Sequence, residues 1–272
     1  MTKEIILPNR AIIEVKGVEA KNFLQGLISN DVNKIDAQGL IYAAMLSATG
    51  RFLYDFFAFA KNDSIFLDCE KSRRDEIFAK LKLYKLRTKI ELIKNDEYVV
   101  AQDFSKSESA DKNNLIFADP RNPALGLRKY KTSTTSSQQA DLDFYNYQRI
   151  CSKVAESEQD LTYEKSIIAE FGFDELHAID YQKGCYIGQE LTARTHYMGQ
   201  IRKKIFHIKI EDAQNIAKNS EISCAGKNVG LTLSSVFFEN RLHALALIKI
   251  EEGENQPPQG LEVEGKKIII IN

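Results

Sequence analysis

The feature that most constrains the fold is the C-terminal part of the chain, where short alternating segments are separated by turn residues. Apolar and polar residues alternate over residues 204–210 and 242–250, and a last strand is expected at 266–271. Glycines and the Pro257-Pro258 pair lie between these segments. Short strands divided in this way predict an antiparallel β-barrel module.

The N-terminal part mixes strands and helices. Residues 41–48 and 53–60 form a predicted hairpin around the turn Thr49-Gly50-Arg51. Other strands are expected at 12–15, 64–68 and up to about residue 101, with helices after Gly17, over 71–83 and over 144–151. This alternation predicts an α+β fold rather than a doubly wound parallel sheet.

Composition excludes several classes of function. The 272 residues carry a formal net charge of −1, so no overall positive field attracts nucleic acid. No apolar run is long enough to span a bilayer, and the first residues contain neither a signal-peptide core nor a transit peptide. We therefore expect no nucleic-acid partner, no membrane partner and a cytoplasmic location, or the mitochondrial matrix in a eukaryote.

The cysteines and histidines show no pattern typical of a metal site. The four cysteines are Cys69, Cys151, Cys185 and Cys224, and none forms a C-x-x-C pair. The four histidines lack the H-E-x-x-H spacing. So few cysteines in a chain of this length predict a reducing compartment without disulfides, and we expect no stably bound metal.

The segment from Lys183 to Arg194 combines a lysine, a cysteine and glycines in an unusual order. Lys183 and Cys185 would share one face of an extended backbone, where an ammonium favours a reactive or ligating thiolate. Gly184 and Gly188 would permit special backbone angles or a close approach. A helix is expected from about Gly188, with Glu190 and Arg194 as an i,i+4 ion pair. The alternative is that Cys185 is a small packing residue beside a solvated charge.

The run Lys-Gly-Cys-Tyr-Ile-Gly-Gln-Glu at 183–190, followed by Arg194, resembles the signature of the YgfZ-type folate-binding proteins. This family is related to the aminomethyltransferase (T-protein) of the glycine cleavage system, and its members assist iron–sulfur cluster maturation. The resemblance implies intertwined N-terminal α+β domains around a central folate cavity and a C-terminal antiparallel β-barrel. Residues 1–200 would be the folate-binding region, with 1–45 and 105–200 in one unit and 46–104 in another, and 201–272 would form the barrel.

The resemblance also assigns site residues. Cys185 would be the reactive or ligating residue, tuned or oriented by Lys183 and Arg194. Glu170 would face the pterin ring of tetrahydrofolate or of a one-carbon derivative, because a carboxylate can accept two hydrogen bonds from neighbouring ring donors. The other residues expected to contact this cofactor are Asn30, Asp31, Asp55, Tyr186, Gly188, Gln189, Glu190 and Arg202. Asn30 and Asp31 could equally be a plain helix-ending turn.

Three functions remain open on these residues. The first is a folate-binding accessory protein for iron–sulfur cluster assembly or repair, whose partners are assembly proteins and client enzymes. The second is a folate-dependent aminomethyl or one-carbon transferase. The family's paired acids appear here as Tyr54-Asp55, and Cys185 replaces an acid of the T-proteins, so we expect an accessory protein rather than a classical enzyme. The third is a folate-binding module in which Cys185 only packs.

Overall fold

The structure, a computed structural model, describes residues 4–105, 110–132, 141–199, 201–250 and 256–271. The chain divides into two compact units, each built from two separate stretches. Unit 1 comprises Met1–Ala140 and Asp174–Gln189, and unit 2 comprises Asp141–Phe173 and Glu190–Asn272.

Unit 1 contains two antiparallel sheets. Its strands are β1 (Glu4–Ile6), β2 (Arg10–Lys16), β3 (Leu40–Leu46), β4 (Phe52–Lys61), β5 (Ser64–Glu70), β6 (Glu91–Asn95), β7 (Val99–Asp103), β8 (Ile116–Ala118) and β9 (Leu127–Lys131). One sheet has the strand order β3-β4-β5-β2-β6, and the other has the order β1-β7-β9-β8. The helices of this unit are α1 (Ala20–Gln25), α2 (Lys34–Gln38) and α3 (Arg74–Lys85).

The predicted hairpin is confirmed. Strands β3 and β4 pair antiparallel, with Tyr42 opposite Phe57, and the Ser47 amide donates to the Arg51 carbonyl across the turn at 2.8 Å. The helix expected over 71–83 is also present, as α3 preceded by a single 3₁₀ turn. The helix expected after Gly17, with an apolar stripe reaching from Val18 to Ile28, is shorter than predicted, because α1 ends at Gln25 and a turn follows.

The strand pairing does not follow the predicted grouping of residues 1–45 with 105–200. Strand β2 pairs with β5 and β6, and β3 pairs with β4, so strands from 1–46 and from 52–95 share one sheet. The physical reason is local: the hairpin turn at 47–51 joins β3 to β4 directly, and a boundary at residue 45 would break that ladder.

Aromatic residues fill the space between the two sheets of unit 1. Phe59 on β4 lies 4.2 Å from Tyr130 on β9 and 5.7 Å from Phe117 on β8, measured between ring centroids. All three side chains are buried. Rings at such separations contribute packing energy beyond the area that they bury, so they join the sheets into one core.

The same core contains a buried ionic cluster centred on Asp68. The Arg10 Nε donates to Asp68 Oδ1 at 2.7 Å, and the Arg128 guanidinium donates to Oδ2 at 2.6 and 2.7 Å. The Tyr130 hydroxyl also donates to Oδ2, at 3.1 Å. The Arg128 guanidinium carbon lies 3.8 Å from the centre of the Phe57 ring. Buried charges of this kind are tolerated only when every member is paired.

Unit 2 is organised on a closed antiparallel barrel, as the sequence predicted. Its strands are β10 (Lys203–Ile210), β11 (Glu221–Cys224), β12 (Lys227–Phe238), β13 (Arg241–Lys249), β14 (Leu261–Val263) and β15 (Lys266–Ile271), in the closed order β10-β13-β12-β11-β14-β15. Aliphatic side chains such as Ile208, Leu242 and Ile248 fill its interior. Closure pairs every strand on both edges, which removes exposed ladders.

Three helices complete unit 2, and their bounds are α4 (Leu142–Cys151), α5 (Ser157–Asp160) and α6 (Gln189–Met198). The first residue of α6, Gln189, is the last residue of unit 1. Helix α4 packs against β12, where the Tyr147 and Phe238 rings stack with centroids 4.3 Å apart. Across the described ranges, no helix is both long and apolar enough to cross a membrane.

A buried arginine joins α4 to the barrel strand β12 through α5. Arg149 donates to Asp160 Oδ2 at 2.9 Å, and Asp160 Oδ1 accepts the backbone N–H of Ser234 at 2.8 Å. The Tyr145 hydroxyl, one turn before Arg149 on the same helix, donates to Glu156. Tyr145 and Arg149, four residues apart on one face of α4, therefore both hold this unit together.

Candidate functional site

The signature segment forms a turn at the end of unit 1 that leads into α6. Residues 181–188 contain no regular element, and α6 begins at Gln189, which confirms the helix expected from about Gly188. The Gln189 side-chain oxygen accepts the backbone N–H of Tyr186 at 3.0 Å, and the Gln189 N–H donates to the Tyr186 carbonyl. These two bonds close the turn around Ile187 and Gly188.

The packing around residue 188 leaves no room for a side chain, so a glycine is required there. Its φ is +83°, and an added Cβ would lie 2.4 Å from the Ser47 carbonyl oxygen and 2.7 Å from Leu46 Cβ. The signature turn thus presses directly on the β3–β4 hairpin. At Gly184 an added Cβ would meet no protein atom within 4 Å, so the described packing requires a glycine at position 188 and not at 184.

Replacing Gly188 by alanine is expected to destabilise unit 1 by about 2 kcal/mol, because a Cβ there is both clashing and strained at positive φ. Gly184→Ala is the matched control and should change stability by less than about 0.5 kcal/mol. Thermal unfolding of both variants beside the unaltered protein gives the comparison. Equal melting temperatures for the two variants would contradict the role assigned to Gly188.

Lys183 is held by three backbone carbonyls. Its Nζ donates to the oxygens of Gln25, Ile28 and Asn30 at 2.8, 2.7 and 2.8 Å. These carbonyls belong to the end of α1 and the turn after it, where helix carbonyls lack intrahelical partners. Burial lowers the pKa of Lys183 to about 8, against the opposing charges of Asp31 and Asp180. The lysine therefore ties the signature segment to the end of α1.

The hydrogen bonds of Lys183 limit how it can act on Cys185. An ammonium group has three N–H donors, and all three are used by carbonyl oxygens. No donor remains for the cysteine sulfur, and the predicted influence of the Lys183 charge on the thiol stays a prediction. The Lys183 ammonium also lies 5.0 Å from the Tyr186 ring centre. Lys183 positions the segment that carries the thiol.

Cys185 is exposed. The other three cysteines are less accessible. Cys69 is buried, and burial raises the pKa of its thiol to about 12. Cys151 is half-buried with a raised pKa, again mainly through burial, and the half-buried Cys224 donates to the Gln259 carbonyl at 3.1 Å. Cys185 is therefore the cysteine best placed to meet a partner or reagent.

Asn30 and Asp31 form the turn after α1, as the structural alternative proposed. The Asn30 amide donates to the carbonyls of Tyr42 and His177, both at 2.8 Å, and its side-chain oxygen accepts the Asp31 N–H. Asp31 Oδ1 accepts from the Gln25 side chain and from the Asn33 backbone, each at 2.9 Å. The buried Asn30 amide is thus committed to the fold, and its predicted contact with a cofactor stays a prediction.

Asp55 is sealed in the core of unit 1, with 3% of its surface exposed. Its Oδ2 accepts a 2.6 Å hydrogen bond from the Tyr42 hydroxyl, while Oδ1 has no hydrogen-bond partner among the described atoms. Burial and the Asp55 charge together raise the pKa of Tyr42 well above its usual range. Tyr42 was not predicted from the sequence. The hairpin register would have found it, because Tyr42 and Asp55 are diagonal neighbours on one face.

The remaining assigned residues belong to unit 2. Glu190 and Arg194 form the predicted i,i+4 ion pair at 3.2 Å on exposed α6, where such pairs contribute little to stability. Glu170 is half-buried in the 3₁₀ turn Ile168–Phe171, and Arg202 is exposed just before β10. The predicted roles of these residues toward Cys185 or a folate stay predictions.

Comparison with known proteins agrees with this architecture. No family model matches the chain. It is similar to the "Iron-sulfur cluster assembly factor IBA57 homolog, mitochondrial" of Mycosarcoma maydis, 34% identical over 221 residues that make up 73% of this chain and 55% of that protein. The protein of the same description from Dictyostelium discoideum is 28% identical over 270 residues, which are 80% of this chain and 66% of that protein. The chain thus spans between half and two thirds of the length of these relatives.

Among solved structures, the fold is similar to that of the glycine cleavage system aminomethyltransferase T from Bartonella henselae. The TM-score is 0.77 at 12% identity, over 99% of this chain and 84% of that one. At this identity the likeness establishes the fold alone. The T-protein-like fold class that the signature implied is confirmed.

Proposed function

Because the chain is a relative of the iron–sulfur cluster assembly factors of the YgfZ type, we propose that it assists the assembly or repair of iron–sulfur clusters in client enzymes. The observation that carries the proposal is the exposed Cys185, placed on a turn that Lys183 and Gly188 fix against the rest of unit 1. A rigid, accessible thiol suits a residue that meets a cluster held by another molecule. The relatives are described by name as iron–sulfur cluster assembly factors, and this description supports the same role for the chain.

Cys185 would act as one ligand of a shared cluster or as a transient sulfur contact. A [2Fe–2S] or [4Fe–4S] cluster normally takes four protein ligands, and one thiolate cannot hold it alone. The remaining ligands would come from an assembly protein, a client enzyme or a small thiol. The proposed partners are therefore proteins that already carry a cluster or receive one.

The test is the activity of several cluster-containing enzymes in cells that lack the protein and receive it back as a variant. Cys185→Ser should fail to restore them, whereas Cys224→Ser should restore them as well as the unaltered chain does. The control removes a half-buried thiol that already donates to a carbonyl. Full restoration by Cys185→Ser, at equal protein level, would overturn the role of the signature cysteine.

Tetrahydrofolate, or a one-carbon derivative, is proposed as the small-molecule partner. The T-protein-like fold and the family signature support this choice. Glu170 would accept from the pterin donors, and Arg202 would face the acidic tail. Asn30 and Asp31 would contribute by shaping the turn after α1, since their described hydrogen bonds are internal.

Glu170→Lys should weaken tetrahydrofolate binding by about 100-fold, because two charge-assisted hydrogen bonds are lost and a like charge is placed near ring donors. Glu164→Lys, the same charge reversal at an exposed position of unit 2, is the control and should bind normally. Isothermal titration calorimetry measures both. Equal affinity for the two variants would remove Glu170 from the binding site.

A folate-dependent aminomethyl or one-carbon transferase is the second candidate. The buried Oδ1 of Asp55 favours it, because this carboxylate oxygen has no hydrogen-bond partner among the described atoms and a substrate amine admitted to the core would supply one. The tyrosine beside Asp55 and the cysteine of the signature oppose it. Folate-dependent transfer by the purified protein, retained in Cys185→Ser and lost in Asp55→Asn, would favour the enzyme over the assembly factor.

The proposed location follows the relatives, whose names describe them as mitochondrial. In a eukaryotic host we expect the mitochondrial matrix, and in a bacterium the cytoplasm. Both are reducing compartments, and the four cysteines of the chain are all free thiols.

A further inference from the structure

Unit 2 brings a cysteine and two histidines together on the outer face of its barrel. Cys151 is the last residue of α4, His207 lies on β10 and His243 lies on β13. One ligand atom from each of these residues lies within 4.8 Å of the others. Because residues 207 and 243 are far apart in sequence, the spacing rules used for metal sites gave no sign of this cluster.

The strand register explains the meeting of the two histidines. His243 is directly opposite Lys209 in the β10–β13 ladder, so His207 is its diagonal neighbour on the same face. Neighbouring residues Ile208, Leu242 and Ala244 point to the barrel core, which places both histidines on the outer face. Helix α4 packs on β12 and β13 and supplies the sulfur from above.

From this arrangement we propose that Cys151, His207 and His243 bind a single soft d10 metal ion, Cu⁺ or Zn²⁺. Thiolate and imidazole are the donor types that both ions prefer. Three protein ligands complete a trigonal Cu⁺ site, or leave the fourth position of a tetrahedral Zn²⁺ site open to water. Cys185 and the proposed cluster function play no part in this site.

The distances are close to those that a metal requires. His207 Nε2 and His243 Nδ1 face each other at 2.9 Å. Two imidazole nitrogens on a tetrahedral ion are about 3.3 Å apart, given metal–nitrogen bonds of about 2.0–2.1 Å. A small outward movement of the rings and a small inward movement of the Cys151 sulfur would therefore seat the ion.

Metal binding displaces protons from the ligand atoms. Both histidine rings are buried, and the neutral imidazole is the form that ligates a metal. On binding, the Cys151 thiol releases one proton to solvent as the metal–sulfur bond forms. The proton between the two facing nitrogens moves through solvent to the outer nitrogen of its ring. No electron is transferred, because the ion enters and stays in one oxidation state.

The surrounding residues provide support and a charge preference. The Tyr147 hydroxyl hydrogen-bonds to Cys151, and the Tyr147 ring meets His243 edge-on at 4.9 Å. Lys153, Lys209 and Arg241 act on the histidines as positive charges, while Glu239 acts on Cys151 as a negative one. A Cu⁺–thiolate centre is neutral and a Zn²⁺–thiolate centre keeps one positive charge, so we expect Cu⁺ to bind more tightly.

The experiment uses the full chain with Cys185→Ser and Cys224→Ser, which removes the other accessible thiols. Cu⁺, Zn²⁺ and the spectroscopic substitute Co²⁺ are titrated without oxygen, and competition with a chelator of known affinity gives each dissociation constant. We expect one equivalent of metal and a thiolate-to-cobalt charge-transfer band. The relative affinities of Cu⁺ and Zn²⁺ then decide between the two ions.

Cys151→Ser and His243→Gln should each lower the affinity by about 100-fold or more, beyond the 10–100-fold that loss of an outer-shell partner costs. Tyr147→Phe, which removes only the outer partner, should lower it by about 10-fold. His196→Gln on exposed α6 is the control. If Cys151→Ser does not fold, as judged by circular dichroism, His243→Gln carries the test. Absence of stoichiometric binding, or affinity unchanged in these ligand variants, would overturn the site.

Discussion

Replacing Arg128 by methionine is expected to lower the free energy of unfolding by about 3–5 kcal/mol, the largest effect that we foresee for a single substitution. The guanidinium is 1% exposed and donates to Asp68, whose side chain is fully buried. It also donates to Gln102 at 3.2 Å and covers the Phe57 ring. Methionine fills similar volume but leaves Asp68 without one of its cations and Gln102 without a donor.

The matched control for this prediction is Arg73→Met. Arg73 also forms a close ion pair, with Glu76 at 2.8 Å, but the two side chains are 37% and 51% exposed. Surface pairs contribute about 0–1 kcal/mol, so the control should unfold almost normally. Urea unfolding followed by circular dichroism measures both variants. A loss below about 1 kcal/mol for Arg128→Met would mean that Arg10 and Tyr130 alone satisfy the buried Asp68 carboxylate, against the role assigned to Arg128.

Lys183→Met should lower the free energy of unfolding by about 3 kcal/mol, because the carbonyl oxygens at the end of α1 would lose the hydrogen-bond donor that they share. A buried acceptor left without a partner costs about 1–3 kcal/mol, and part of this site is open to water. Lys21→Met, which breaks an exposed pair with Asp36, is the control. Hydrogen exchange of the amides in α1 and the following turn should accelerate in Lys183→Met and stay unchanged in the control.

The same substitution should also change how stability depends on pH. Burial lowers the folded-state pKa of Lys183 from 10.5 to about 8. Between these two values the unfolded chain binds the proton and the folded chain does not, so raising the pH favours the folded state. The stability of the unaltered protein relative to Lys183→Met should therefore rise from about pH 8 to about pH 10.5. If the difference in unfolding free energy between the two proteins stays constant or falls over this pH range, the three carbonyls keep Lys183 protonated in the folded state.

Much of the fold could be predicted because its signals are local. The alternation of residues 204–210 and 242–250 predicted β10 and β13, and Thr49-Gly50-Arg51 predicted the β3–β4 turn. The end of α1 was missed for a physical reason: apolar residues beyond Gln25, such as Ile28, are buried in a turn, and their spacing imitates a continuing helix stripe. Hydrophobic periodicity indicates which residues are buried, and a residue can be buried without lying in a helix.

The site was predictable in position but not in detail. The signature predicted the start of α6 from residue types alone. The hydrogen-bond partners of Lys183 are backbone carbonyls distant in sequence. Every residue has a backbone carbonyl, so residue types do not indicate which ones the lysine binds. Gly184 and Gly188 look alike in the sequence, and only the hairpin packed against Gly188 separates them. Cys151, His207 and His243 were missed because their meeting depends on strand register and helix packing.

The division of each unit between two stretches of chain has a consequence for the order of folding. During synthesis, residues 141–173 leave the ribosome before any barrel strand of unit 2 exists. Until β12 emerges, the Tyr147 ring lacks its stacking partner and Asp160 lacks the Ser234 amide that it binds in the finished unit. The apolar side of helix α4 therefore stays exposed to solvent until the barrel strands have been synthesised. A premature stop codon within the barrel would therefore destabilise residues 141–173 as well as the truncated barrel.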